Sequence, residues 1–180
     1  LERGLPTIID ADALTVLSTD GDLRELVRDH PCAVLTPHAG EFERLYAAAL
    51  GRERDLSEGL GVRLRELSHA LDCFILHKGR ITTVTAPGQK IYGMNAGHSY
   101  AATAGSGDVL SGILGATLAQ VDAAEADAET IIMEILHAAA IHQHAAAIAA
   151  HTPDGFGLCS ASQIAAAVPQ AIARLLVMQR

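Results

Sequence analysis

Three short apolar runs, separated by amphipathic helical patterns, constrain the fold of this chain more than any other feature of its sequence. The runs lie near residues 7–10, 32–35 and 73–76. None shows the polar–apolar alternation of a half-exposed strand, so each predicts a strand that is covered on both faces. Strands of this kind alternating with helices predict an α/β fold, with a mainly parallel sheet flanked by helices on both faces.

Helical periodicity and turn residues account for the rest of the chain. The predicted helices comprise residues from about 13 to 17, 22–29, 40–50, 56–71, 107–120 and 123–150, followed by closing helices from about Ser160. Residues 81–85 and 90–92 flank Pro87-Gly88-Gln89, a pattern that predicts a small β-hairpin. A loop is predicted at residues 152–157. The alanine-rich helix at 123–150 carries few charges, so we expect it to be buried against the sheet.

Composition limits the classes of partner. Hydrophobic residues make up 49% of the 180 residues and charged residues 19%, which is typical of a single globular domain. The net charge of −8 gives no general attraction to nucleic acid or to an anionic membrane. An anionic ligand would therefore have to be held by local amides and helix ends.

The cysteines and the apolar runs bear on the compartment. Cys32, Cys73 and Cys159 are odd in number and far apart, without a Cys-x-x-Cys pair, which favours reduced thiols in a cytoplasmic protein. No signal peptide is visible, and no uncharged apolar run reaches the roughly 20 residues needed to cross a bilayer.

Polar residues follow each of the three predicted strands. They are Asp10 and Asp12, then Thr36-Pro37-His38, then His77-Lys78-Gly79. In open α/β sheets, ligands bind beyond the carboxyl ends of the strands, so we expect these groups to share one cleft.

The glycine-rich stretch Ala104-Gly105-Ser106-Gly107-Asp108 is the strongest local indication of a site. Its glycines allow a tight turn into a helix, whose first amides and positive dipole end favour phosphate oxygens. Asp108 would lie in the first turn. The alternative is that Ser106 or Asp108 simply caps the helix.

These motifs together resemble the NAD(P)H-hydrate dehydratase family of the ribokinase-like superfamily. The resemblance rests on Thr-Pro-His-x-Gly-Glu at 36–41, Lys-Gly at 78–79, Asn-x-Gly at 95–97 and Gly-Ser-Gly-Asp-Val-Leu-x-Gly at 105–112, and it covers essentially the whole chain. Ser106 stands where threonine is common, Ala39 where proline is frequent, and His98-Ser99-Tyr100 replaces a run of smaller residues. The glycine-rich N-terminal portion usual in the family is missing. We therefore expect residues 1–180 to form one domain that lacks this portion. Either a second polypeptide covers the side of the sheet next to residue 7, or the chain alone is weakly stable and inactive.

The resemblance implies an activity and a set of site residues. The activity is repair of hydrated NADH or NADPH: ADP or ATP, with Mg²⁺, phosphorylates the ring hydroxyl, and elimination of phosphate restores the reduced cofactor. Asp108 would be the catalytic group, and it would contact the substrate together with His38. The nucleotide-binding residues implied are Lys78, Gly79, Arg80, Ile81, Thr82, Gly105, Ser106 and Gly107, with Asp10, Asp12, Glu41 and Asn95 behind them. The family also suggests a homo-oligomer.

Several alternatives stay open at this stage. Lys78 would otherwise be an ordinary exposed lysine at a turn, and His38 would be a histidine whose hydrogen bonds are satisfied at a helix start. Asp10 and Asp12 would form either a water or metal relay or the cap of the following helix. A metal site on one helical stripe is disfavoured, because histidines seven residues apart are separated by about 10 Å along a helix. His137, His142, His144 and His151 invite this interpretation, but only His137, His144 and His151 share a helical stripe.

Two other functions compete with the dehydratase, namely a sugar or vitamin-precursor kinase and a non-catalytic nucleotide-binding module. No residue decides between ADP and ATP.

Overall fold

A five-stranded mixed sheet organises the chain in the computed structural model, which describes residues 5–51, 58–95, 99–123 and 125–178. The strands, in both chain order and spatial order, are β1 (Thr7–Ile9), β2 (Ala33–Leu35), β3 (Phe74–His77), β4 (Ile81–Thr85) and β5 (Tyr92–Asn95). The three apolar runs pair in parallel, as predicted, with Ile8 beside Val34 and Leu35 beside Ile75. The predicted hairpin supplies β4 and β5, which add two antiparallel pairings to the same sheet.

Seven helices are described, together with a second, two-stranded sheet. The helices are α1 (Asp12–Thr19), α2 (Gly21–Arg28), α3 (Ala39–Leu50), α4 (Leu60–Leu71), α5 (Ser106–Leu118), α6 (Ala128–Ala149) and α7 (Ala161–Met178). The small sheet pairs β6 (His151–Thr152) with β7 (Gly155–Phe156).

Both faces of the main sheet are covered. Val34 and Leu35 are neighbours on β2 and point to opposite faces, yet neither is exposed. Leu35 and Ile75 pack with Phe42 under the layer of α1 to α4, whereas Val34 packs with side chains of α5 and α6. This confirms the α/β arrangement and explains why the strands read as continuous apolar runs.

Some predicted boundaries were wrong, each for a local reason. The second hairpin strand was placed at residues 90–92 but comprises Tyr92–Asn95, because the turn after Ala86 is longer, with Gly88 at a φ of 70°. The long helix begins at Ala128 and not at 123, because the Asp127 side chain accepts a hydrogen bond from the Thr130 amide and caps it. The segment predicted as a loop at 152–157 contains most of the β6–β7 hairpin, and His151 lies on β6, outside α6. The start of the helix predicted at 56–71 falls partly outside the described residues.

One described helix, α6, is long and apolar enough to cross a membrane. Ile132, Ile135 and Ala138 on this helix are fully buried in the core of the protein. A helix packed within a core needs this composition for its packing alone.

Candidate active site

A cavity of about 830 Å³ opens where the carboxyl end of β3 meets the N-terminus of α5. Seven of the residues proposed from the sequence line it: His38, Lys78, Gly79, Arg80, Thr82, Ser106 and Gly107. Asp108 follows Gly107 in the first turn of α5 and is exposed. Residues that are distant in sequence therefore share one cleft, as expected from the strand ends.

An ion pair forms the floor beneath the start of α5. The Lys78 Nζ atom lies 2.6 Å from Asp10 Oδ1, and the Ser111 hydroxyl donates to Asp10 Oδ2 at 3.1 Å. Burial alone would raise the pKa of Asp10, but the Lys78 ammonium and neighbouring hydrogen bonds outweigh it and lower this pKa below 3.8. Asp10 is thus an ionised carboxylate that anchors the Lys78 ammonium.

Gly107 brings the backbone of α5 directly onto this ion pair. A Cβ atom at position 107 would lie 3.3 Å from Asp10 Oδ2 and 3.5 Å from Lys78 Nζ. Glycine at this position therefore lets the N-terminus of α5 approach the Lys78 ammonium group closely. The positive end of the helix dipole and this ammonium group lie next to each other.

Two amides at the start of α5 are unsatisfied within the described part of the chain. The Ser106 amide donates to the Thr103 carbonyl and the Val109 amide to the Gly105 carbonyl, whereas those of Gly107 and Asp108 have no acceptor there. The helix N-cap is Gly105, in the left-handed region at a φ of 80°, and no side chain caps the helix. Neither Ser106 nor Asp108 therefore caps the helix through its side chain. The two free amides are available as donors to an anion.

The His38 side chain caps helix α3 and is also exposed at the cavity. Its Nδ1 accepts from the Gly40 and Glu41 amides at 3.0 and 3.4 Å, and Glu41 Oε2 accepts from the His38 amide at 2.8 Å. This reciprocal pattern is a capping box at the start of α3. The side chain of His38 nevertheless remains 56% exposed at the cavity, so capping leaves it accessible to a ligand.

The proposed residues that do not line the cavity are Asp10, Asp12, Glu41, Ile81, Asn95, Gly105 and Asp108. Ile81 begins β4 and is 54% exposed, and Asn95 pairs with it from β5. Asp12 is exposed in the first turn of α1. Thr82, by contrast, is buried and accepts a hydrogen bond from Gln143 Nε2 at 3.3 Å.

The sequence reasoning missed the contribution of α6. His142 and Gln143 line the cavity, and His142 Nε2 lies 2.9 Å from Ser106 Oγ. From the sequence, His142 was considered only for a metal site. The available signal was its helical spacing, because His142 follows the buried Ile135, Ala138 and Ala139 at intervals of seven, four and three residues. A polar residue on a buried stripe requires a polar partner.

Comparison with known proteins places the chain in a family. The family profile described as NAD(P)H-hydrate dehydratase matches residues 1–167. The bifunctional NAD(P)H-hydrate repair enzyme Nnr of Corynebacterium glutamicum is 40% identical over 97% of this chain and 33% of its own length. The chain thus spans about a third of this curated relative.

Two solved structures share the fold. A ribokinase-like superfamily protein from Enterococcus faecalis superposes with a TM-score of 0.69 at 24% identity, over 93% of this chain and 52% of its own. An ADP/ATP-dependent NAD(P)H-hydrate dehydratase from Bacillus subtilis, co-crystallised with ATP/Mg²⁺, gives a TM-score of 0.57 at 22% identity, over 79% of this chain and 47% of its own. These likenesses establish a ribokinase-like fold, and with the match over residues 1–167 the chain belongs to the NAD(P)H-hydrate dehydratase family.

Proposed function

We propose that this protein repairs hydrated NADH and NADPH by nucleotide-dependent dehydration. The observation that supports this most directly is the pair of free amides of Gly107 and Asp108 beside the Lys78 ammonium. Together they form a site for phosphate oxygens next to one exposed carboxylate, that of Asp108. A phosphoryl-transfer site needs this combination of donors and a proton acceptor.

The reaction has two steps. In the first, the hydroxyl oxygen of the hydrated ring attacks the terminal phosphorus of ADP or ATP. The bond from that phosphorus to the nucleotide leaving group breaks, and the hydroxyl proton passes to Asp108. In the second, the ring carbon–oxygen bond breaks, inorganic phosphate leaves, and loss of a proton from the adjacent carbon restores the ring double bond. Phosphorylation is required because hydroxide is a poor leaving group.

The chain's own residues mainly position charge. The Gly107 and Asp108 amides and Lys78 would hold the transferring phosphate, and Asp10 would keep Lys78 directed toward it. Asp108 would orient the substrate hydroxyl, and His38 would contact the dinucleotide at the cavity wall. Gly79, Arg80 and Thr82 would contact the nucleotide from the start of β4, with Ile81 adjoining them.

The site fits a Mg²⁺ ion that arrives with the nucleotide. No group of three potential metal-ligating side chains exists among the described residues, and Mg²⁺ in such enzymes is commonly held by phosphates, water and one or two carboxylates. Phosphate oxygens and water would hold the ion here, because the Asp108 carboxylate is assigned to accept the hydroxyl proton. When bound, Mg²⁺ would offset phosphate charge.

We propose the surroundings that the sequence led us to expect: a cytoplasmic protein, a homo-oligomer, and a second polypeptide beside β1. The last proposal is supported by the position of β1, which is an edge strand of the described sheet. An unpaired edge presents backbone polar groups that favour another strand. Sedimentation analysis distinguishes a monomer from these assemblies.

The test is incubation of the protein with hydrated NADH, Mg²⁺ and either ADP or ATP. We expect the NADH absorbance band to recover and inorganic phosphate to accumulate. A stable phosphoester product in place of free phosphate would identify a kinase instead. Nucleotide binding without turnover in any combination would identify a binding module.

A further inference from the structure

His142 makes both of its described hydrogen-bond contacts through one nitrogen and to one residue. Its Nε2 atom lies 2.9 Å from the hydroxyl oxygen of Ser106 and 3.0 Å from the carbonyl oxygen of the same residue. Both side chains are buried, with 7% of His142 and 4% of Ser106 exposed. Ser106 is the first residue of α5, so this contact ties α6 to the phosphate-facing end of the neighbouring helix.

The two contacts favour one arrangement of the protons. A carbonyl oxygen can only accept a hydrogen bond, so the 3.0 Å contact forms a hydrogen bond when Nε2 carries the imidazole proton. The Ser106 hydroxyl oxygen, 2.9 Å from that same nitrogen, must then accept a share of this proton. With its oxygen engaged as an acceptor at Nε2, the hydroxyl group must donate its own proton in another direction.

Among the described residues, the Ser106 hydroxyl has no hydrogen-bond partner besides His142, so a ligand in the cavity can accept its proton. Ser106 and Gly107 both line the cavity, and the free amides of Gly107 and Asp108 follow Ser106 in the same turn. A hydroxyl donor at this position would be a third donor to the same phosphate oxygens. Hydrogen bonds to charged oxygens are about twice as strong as neutral ones, so its orientation bears on affinity.

We propose that His142 is a positioning residue that turns the Ser106 hydroxyl into a donor toward the bound phosphate. This inference rests on the proposed function, because it assigns the phosphate-binding role to the loop that Ser106 begins. It extends that function by one residue, which acts through Ser106 and does not itself contact the reacting atoms.

The variants separate this role from simple packing. His142→Phe keeps a ring but removes the donor, His142→Gln restores an amide donor, and Ser106→Ala removes the hydroxyl. Ser106→Thr keeps the hydroxyl. The matched control is His144→Gln on the same helix, because the only hydrogen-bond partner of the His144 ring among the described residues is the Ala140 carbonyl.

The measurement is the dissociation constant of ADP and of ATP by calorimetry, with thermal melting of each variant to check folding. We expect Ser106→Ala and His142→Phe each to weaken binding by roughly ten-fold, the loss of one hydrogen bond to a charged group. His142→Gln and Ser106→Thr should retain most of the affinity, and His144→Gln all of it. The double variant of Ser106→Ala with His142→Phe should bind no more weakly than Ser106→Ala alone, because both remove the same interaction.

Imidazole ¹⁵N chemical shifts of the unmodified protein test the tautomer without any variant. Protonation at Nε2 and not at Nδ1 is the expected result. A proton on Nδ1 alone would overturn the proposal, as would additive effects in the double variant or unchanged affinity in a folded His142→Phe protein. Absence of NADH recovery with nucleotide binding intact would reject the dehydratase activity and leave the His142 role standing, whereas a parent protein that binds neither nucleotide would reject both.

Discussion

The ammonium group of Lys78 and the carboxylate of Asp10 lie 2.6 Å apart, directly under the first turn of α5. This pair connects the ends of two non-adjacent strands, β1 and β3, across β2. The partners are mostly buried, with 23% of the Lys78 side chain and 12% of the Asp10 side chain exposed. The pair therefore holds a positive charge in place before any ligand arrives.

Removing the charge of Asp10 should leave the Lys78 ammonium group less firmly held in position. We expect Asp10→Asn to weaken nucleotide binding and to lower the free energy of unfolding by roughly 1.5–3 kcal/mol, the range for hydrogen bonds to charged groups. Asp12→Asn is the matched control, since Asp12 is exposed and has no partner among the described residues. Calorimetry and denaturant unfolding measure both effects. Equal behaviour of the two variants would show that the ion pair does not position Lys78.

Asp108 tests the chemical step. Asp108→Asn keeps the size of the side chain but removes the acceptor for the hydroxyl proton. A positioned acid–base group contributes about 10²–10⁴-fold in rate, so we expect turnover to fall by that range. Nucleotide affinity should stay similar or rise slightly, since a negative charge near the phosphates is removed. Turnover within a few-fold of the parent would exclude Asp108 as the proton acceptor.

The close approach at Gly107 predicts a position-specific effect of one methyl group. Gly107→Ala would place Cβ 3.3 Å from Asp10 Oδ2, which forces the ion pair or the helix end to move. We expect weaker nucleotide binding and lower stability. Gly112→Ala on the same helix meets nothing within 4 Å and should stabilise by about 1 kcal/mol through helix propensity. If Gly107→Ala behaves like Gly112→Ala, the close packing at Gly107 is not required for nucleotide binding or for stability.

Buried histidines predict a loss of stability on acidification. Burial lowers the pKa values of His30, His77 and His142 below 6.5 in the folded protein. The unfolded chain therefore binds more protons as the pH falls below about 6.5, and this favours unfolding. Their stabilising contribution is complete above that pH and is lost as the pH falls toward the folded-state pKa values.

Denaturant unfolding between pH 7.5 and pH 5 measures this slope. Each such histidine contributes at most about 1.4 kcal/mol per pH unit. The stabilising contribution of Asp10 is lost only at lower pH, as the pH falls through its folded-state pKa, which lies below 3.8. His77→Leu should reduce the slope between pH 6.5 and 5. An unchanged slope in the His77 variant would contradict the assignment.

Backbone strain beside the site predicts a stabilising substitution. Ala11, between Asp10 and α1, has a φ of 52°, a region that residues with a Cβ rarely adopt. Ala11→Gly should relieve this and raise the free energy of unfolding by roughly 1 kcal/mol. Ala13→Gly, two residues later within α1, should lower it by a similar amount because glycine is a poor helix former. If the strain is present, thermal or denaturant unfolding will show changes in the free energy of unfolding of opposite sign for the two variants.

The sequence predicted the parts of the site that follow strand ends and the glycine-rich turn. Lys78 and Ser106 were expected at one cleft and line one cavity, because parallel strands and a helix start have fixed directions in an α/β fold. The ion pair between Lys78 and Asp10 was not expected, since pairing depends on the lateral order of strands and on side-chain reach. The contact of His142 with Ser106 was missed because the rotation of a helix rich in small apolar residues on all sides is poorly constrained by hydrophobic periodicity.

The Asp10 carboxylate has a consequence for how this protein folds. It joins Lys78, 68 residues away, and Ser111, 101 residues away. Contacts between such distant segments close large loops and form slowly, after local helices and the β4–β5 hairpin. A newly made chain would thus reach much of its helical content before it has any phosphate site. Nucleotide binding should appear only in the last kinetic phase of refolding, which makes ligand capture a direct reporter of completed tertiary structure.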